Sequence, residues 1–163
     1  MILRPPANQL DPRMRTYWLV EGLLGTATAV VIVVVATVVT AVAGATTAAW
    51  IVAVVGGAVV AALAVAAFVT PRLDYEYFRY EVMELGLYVA RGWLRRRWQV
   101  VPHARVQTVD TTAGPLLRAF GLVAVEVTTA SAAGGTSIPG LPPDVAGALL
   151  EELARRAGLE EGT

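Results

Sequence analysis

Between Glu21 and Arg72 the sequence contains no Asp, Glu, Arg, Lys or His, and few folds have room for so long an uncharged run. From Leu19 to Thr70 the aliphatic residues are interrupted only by Glu21, glycines, threonines, the Trp50 indole and Phe68. One membrane span takes ~20 apolar residues to cross a hydrocarbon core of about 30 Å, so this stretch predicts two spans rather than one. A break falls at Gly44-Ala45-Thr46-Thr47, which can turn without leaving a charge to solvate, with Trp50 just beyond at interface depth. The expected helices run from about Trp18 to Ala43 and from about Ala48 to Thr70, with Pro71 ending the second because it has no N–H to donate. A cleaved signal peptide, with its apolar core of about 7 to 15 residues, is too short to explain the run.

Composition agrees with a chain divided between lipid and water. Hydrophobic residues make up 56% and charged residues 16%, with a mean hydropathy of +0.59, whereas soluble domains carry about 25% charged residues. There is no Cys, so disulfides, thiolate nucleophiles and cysteine metal sites are excluded. Orientation is read from arginines, since all 13 basic residues are Arg. Arg4, Arg13 and Arg15 precede the apolar run, Arg72, Arg79, Arg91 and Arg95 to Arg97 follow it, and its middle has none. The positive-inside bias then puts both termini in the cytoplasm.

The spans themselves offer little chemistry. With no ionisable group between Glu21 and Arg72, a stand-alone pump or transporter is not expected. Ala53, Gly57 and Ala61 repeat every four residues, as do Ala36, Thr40 and Gly44. Such small-residue seams let helices approach closely, either within the hairpin or in an oligomer. Thr26, Thr28, Thr37 and Thr40 are expected to bond back to the preceding helical turn.

After Pro71 the chain reads as a small mostly-β domain. A first strand is expected within Tyr75 to Val82, a second at Gly86 to Arg91, and a return through Trp98 to Pro102 after the Arg95-Arg96-Arg97 run. Val106 to Thr112 alternates, with Val106 and Thr108 assigned to one face and Gln107 and Val109 to the other. Leu116 to Phe120 reads as a helical turn closed by Gly121, and Val123, Val125 and Val127 share one face of the next strand. Gly134-Gly135 signals a turn before a short strand at Thr136 to Ile138. A final helix opens with Pro142, Pro143 and Asp144, buries Val145, Leu149 and Leu153, pairs Glu151 with Arg155 and Glu152 with Arg156, and is capped by Gly158. The organisation expected is a leading cytoplasmic segment at 1–17, a two-helix transmembrane hairpin at 18–71 and a cytoplasmic domain at 72–163.

Several stretches resemble one known family. They are Leu10-Asp11-Pro12-Arg13, Arg79-Tyr80-Glu81-Val82, Gly86-Leu87-Tyr88-Val89 with Arg91-Gly92, Val101-Pro102 with Arg105-Val106-Gln107-Thr108-Val109, Gly114-Pro115-Leu116 with Arg118-Ala119-Phe120-Gly121-Leu122, and Ile138-Pro139-Gly140-Leu141. In this order, around a two-span hairpin, they are similar to the bacterial pleckstrin-homology-like (PH-like) domain of YdbS-like membrane proteins. The resemblance implies a membrane α-hairpin joined to a seven-stranded, partly open PH-like barrel with a C-terminal helix. It also implies no catalytic residues, no cofactor, and links to membrane stress and bacteriocin resistance. His103 stands where the resemblance leads to a small apolar residue.

The inventory for catalysis is thin: His103 is the sole histidine and Ser131 and Ser137 the sole serines, neither in a nucleophile-elbow sequence. Asp74 with Glu76, or Glu81 with Glu84, has no second His or Cys to complete a metal site, and Gly134-Gly135 precedes no phosphate-binding Lys. A non-enzymatic module is expected, without cofactor or metal. The concentrated surface feature is Arg91, Arg95, Arg96 and Arg97 with Trp93 and Trp98, a candidate contact for anionic headgroups or a partner protein. Nucleic acid is disfavoured by a formal net charge of zero and by the membrane tether. The leading expectation is an interaction or scaffold module contacting the bilayer and working as a homo-oligomer or beside a larger membrane protein with similar domains. The alternatives are a lipid-headgroup sensor and an accessory subunit of an export or resistance complex.

Overall fold

The uncharged run forms two long helices joined by a three-residue tip. The computed structural model describes residues 4–129 and 135–158, and the chain divides into two units, one of residues 18–72 and one of residues 1–17 with 73–163. Helix α1 is Arg13–Val42 and helix α2 is Thr46–Tyr77, both long and apolar enough to cross a bilayer. The tip is a Schellman turn: Gly44 has φ +78°, its N–H donates to Ala41 O at 3.0 Å, and Ala45 N–H donates to Thr40 O at 3.1 Å.

Within the hairpin unit the less exposed positions of α1 are Gly22, Thr26, Ala29, Val33, Ala36, Thr37 and Thr40. Those of α2 include Ala49, Ala53, Gly56, Val60 and Ala67. Steps of three and four are the mark of a left-handed helix pair. The helices touch where side chains are smallest: a Cβ on Gly22 would lie 2.9 Å from Ala67 Cβ, and one on Gly56 would lie 2.6 Å from Val33 Cγ1. The threonines bond back as expected, Thr26 to Gly22 O, Thr37 to Val33 O and Thr40 to Ala36 O at 2.8 Å, and Thr28 to Leu24 O at 3.0 Å.

Two boundaries differ from expectation. Helix α1 begins at Arg13 rather than Trp18 because Asp11 caps it: Asp11 Oδ1 accepts the Arg13 N–H at 2.9 Å, with Pro12 at the first helical position. Pro71 does not end α2, which continues to Tyr77. Proline costs the bond to the carbonyl four residues back, but its fixed φ suits a helix. The turn beyond it is held by tertiary contacts that no local signal reveals, Gln9 Nε2–H donating to Tyr75 O at 3.2 Å and the Arg15 guanidinium lying 5.3 Å over the Tyr75 ring. Tyr75 to Tyr77 are therefore helical, and the first strand starts only at Arg79.

The second unit holds two three-stranded antiparallel sheets. Strands β1 (Arg79–Met83), β2 (Gly86–Arg91) and β3 (Arg97–Pro102) form one; β4 (Val106–Thr112), β5 (Val123–Thr129) and β6 (Thr136–Leu141) form the other. A 3-10 turn at His103–Arg105 links the sheets, helix α3 (Pro115–Ala119) joins β4 to β5, and helix α4 (Pro143–Ala157) packs on β4, β5 and the 3-10 turn. Leu87, Val89, Leu122, Val125, Val127, Ile138, Leu141 and Leu153 are the sealed core. This is the PH-like arrangement of sheets closed by a C-terminal helix, with six strands among the described residues rather than seven.

Smaller departures have local causes. A register shift between Val106 and Thr108 reverses the alternation of β4, so Val106 is buried and Thr108 exposed, with Val109 half-buried. Strand β6 runs past Ile138 through Pro139 and Gly140, which is tolerated because β6 lies at a sheet edge. Helix α4 buries Ala146, Leu149 and Leu153 and leaves Val145 exposed. Glu152, not Glu151, pairs with both Arg155 and Arg156. Gly158 closes α4 as expected. Gly134 lies outside the described residues.

Residues 4–17 are built into this second unit. Asn8 and Tyr80 exchange backbone hydrogen bonds of 3.0 Å, and Glu81 accepts from Arg4 at 2.5 Å and from the Ala7 N–H at 3.1 Å. On the other sheet, Asp11 N–H donates to Gly140 O at 3.2 Å and Arg13 Nη1 donates to Phe120 O at 3.1 Å. Leu10 and Met14 are buried. The side-chain hydrogen bonds from Arg13 hold the Asp11 carboxyl below the usual carboxylate range, against an opposing effect of burial.

Candidate functional site

The arginine-rich hairpin lies beside a cleft. Across sheet β1-β2-β3, Arg79 pairs with Ala90 and Ala90 with Trp98, so these three share one face. One residue further along, Arg91 pairs with Arg97. The last turn of α2 contributes Glu76 and Tyr77, and the leading segment contributes Pro5 and Pro6. Together with Gly92 and Arg96 they line a cleft of about 300 Å³. Ala90 and Pro6 are buried, and the Arg96 guanidinium lies 4.8 Å over the Tyr77 ring.

Of the candidate residues, Arg91, Arg96, Arg97 and Trp98 line this cleft, whereas Trp93 and Arg95 sit at the exposed hairpin tip outside it. Arg79, Glu76 and Tyr77 were missed. The signal for them is the aromatic and charged run Tyr75 to Val82, within which a first strand is expected. The four cleft arginines have no ion-pair partner among the described residues, while Arg4, Arg13, Arg155 and Arg156 do. Arg91 opposite Arg97 is a directly cross-strand like-charge pair, which is unfavourable.

The other candidates sit apart from the cleft. His103 is buried in the 3-10 turn, where its Nε2–H donates to Met83 O at 2.9 Å. That carbonyl also accepts from Arg156 Nη1 at 3.2 Å. The histidine thus ties the end of β1 to the turn between the sheets. Ser137 is on β6, opposite Glu126, and Ser131 lies outside the described residues. In the hairpin, Ala53 is half-buried toward α1, but Gly57 and Ala61 face outward, and nothing lies within 4 Å of where a Gly57 Cβ would be. Gly56 makes the close approach instead.

Comparison with known proteins agrees with this architecture. The transmembrane protein YdbS of Bacillus subtilis (strain 168), named UPF0699 transmembrane protein YdbS, is 36% identical over 93 residues. The match spans 57% of this chain and 57% of YdbS, little more than half of each. No solved structure gives a significant match. The profile of the family described as bacterial PH domain matches residues 19–157, which takes in the second apolar helix, most of the first, and both sheets with the closing helix. The chain is therefore a membrane protein of the bacterial PH domain family, similar to YdbS.

Proposed function

We propose that this protein performs no chemistry of its own and acts as a membrane-anchored contact module, with the hairpin at 18–71 as anchor and the PH-like part at 72–163 as the cytoplasmic working surface. The observation that carries this reading is the edge strand β3. Among the described residues it pairs only with β2, and it exposes Trp98 and Val100 at 45% and 51%. An apolar edge strand invites pairing by another chain unless something covers it. A second copy, or a larger membrane protein with a similar unit, fits that need, and the outward Gly57 and Ala61 leave a low ridge on α2 where a neighbouring helix can approach.

The expected result is an oligomer in mild detergent at low protein concentration, measured by light scattering with the micelle mass subtracted. Val100→Lys, which puts a charge on the exposed edge, should shift it toward monomer. A clean monomer that also retains no membrane partner in cells would overturn the reading.

The orientation follows from the arginine distribution and is supported by connectivity. Residues 1–17 and 73–163 belong to one unit, so both outer ends of the hairpin belong on the same side of the bilayer. The positive-inside bias selects the cytoplasmic side of the plasma membrane. With no native cysteine, Thr46→Cys should react with an impermeant thiol reagent in intact cells, and Leu85→Cys, at a turn position 84% exposed, only after the cells are broken. Labelling of Leu85→Cys from outside would refute this orientation.

A further inference from the structure

We propose that the cleft between the last turn of α2 and the β2-β3 hairpin is a binding site for a phosphomonoester. The inference stands apart from the oligomer reading and needs no second chain.

Charge is the first argument. Four arginines, Arg79, Arg91, Arg96 and Arg97, are among the residues that line the cleft, against the single acidic residue Glu76. None of the four is ion-paired among the described residues, and Arg91 faces Arg97 across the strands. Folding thus assembles a repulsive cluster that an anion would relieve. Arginine presents a planar fork suited to phosphate oxygens, and a net excess of positive charge favours a group bearing close to two negative charges over a carboxylate with one.

Shape is the second. At about 300 Å³ the cleft has the size of a small-molecule site. Ala90, Pro6, Tyr77 and Trp98 add apolar lining beside the arginines. A bare inorganic anion would leave that apolar lining unused. A phosphate carried on a short organic body meets the arginines with one end and the rings with the other.

The same headgroup chemistry exists on a lipid and on a soluble ester. Covalent connectivity keeps the lipid source within reach: Tyr77 follows Thr70, the end of the apolar run, by seven residues, which span at most about 25 Å even when fully extended.

The test uses the full chain in neutral detergent and reads its thermal midpoint. Glycerol 1-phosphate at a hundredfold excess over Kd should raise Tm by roughly 10 °C, beyond acetate or chloride at equal ionic strength. The double variant Arg91→Gln with Arg97→Gln should lose that response while melting no lower than the parent without ligand. If the double variant fails to fold, Arg96→Gln, an exposed position over Tyr77, gives the same comparison. A second arm places the protein in nanodiscs of phosphatidylcholine with or without phosphatidic acid. A larger gain from phosphatidic acid than from the soluble ester assigns the ligand to the lipid, and a gain from the soluble ester alone assigns it to a free phosphomonoester. No gain in either arm, an equal gain from acetate, or a gain retained by the variants would overturn the proposal.

Discussion

Val125→Asp is expected to abolish folding of the PH-like unit. Val125 is 0% exposed at the middle of β5, paired with Thr111 on β4 and with Ile138, also fully buried, on β6. No cation faces it from that strand pairing, so the new carboxylate would be a buried, uncompensated charge costing on the order of 3–5 kcal/mol. Against a total stability of about 5–15 kcal/mol, that is enough to unfold a marginal domain. The adjacent residue is the control. Glu126 is exposed and lies opposite Asp110, a like-charge pair, so Glu126→Lys should be tolerated within about 0.5 kcal/mol even though it removes the Thr112 hydrogen bond at 3.0 Å. Denaturant unfolding of the full chain in detergent, followed by near-UV circular dichroism, distinguishes them. Equal midpoints for the two variants would mean that the inward face of β5 is misassigned.

The second large effect is expected at Gly140→Ala. Gly140 has φ +69°, a backbone conformation costing an L-residue about 1–2 kcal/mol. An added Cβ would also lie 2.5 Å from Met14 Sδ and 2.8 Å from Met14 Cγ, an overpacking worth about 1–3 kcal/mol. A loss of roughly 2–5 kcal/mol follows, concentrated where the leading segment meets β6. The two contributions separate in a cycle with Met14→Ala: removing the side chain relieves the clash and leaves the backbone strain, giving a coupling of about 1–3 kcal/mol. Release of the segment should also speed tryptic cleavage after Arg13 and Arg15. An unchanged midpoint and an unchanged cleavage rate in Gly140→Ala would show that Met14 is not seated there.

The parts of this fold legible in the sequence are those specified by near neighbours. Strands β2 and β4 fall where alternation and turn residues put them, Gly44 gives the hairpin tip, and Pro143 and Gly158 bound α4, because each depends on residues within one or two turns. What escaped depends on distant partners. Pro71 looks like a stop until Gln9 and Arg15 are seen holding the turn beyond it. The β4 bulge changes the facing of Val109 through pairing with β5, and β6 outlasts its apolar run because β5 pairs with it through Leu141. Asp11-Pro12 is an ordinary helix-start signal, with Asp11 accepting the Arg13 N–H. For the cleft, the arginines of the hairpin were visible as a cluster, but only the β1-β2 register places Arg79 beside them and only the prolonged α2 delivers Tyr77 and Glu76.

The incorporation of residues 4–17 among strands that lie far downstream has a consequence for biosynthesis. Arg4 reaches Glu81 over 77 residues and Arg13 reaches Phe120 over 107, and the whole hairpin is made in between. At about 5–20 residues per second, residues 4–17 wait roughly 5–20 s for their latest partner. During that interval Leu10 and Met14 have nothing to pack against, and the order of synthesis is the reverse of what local folding would favour. A substitution that loosens Leu10 or Met14 would therefore act on the last step of maturation rather than the first, by weakening a segment that must still dock after both membrane helices have been made.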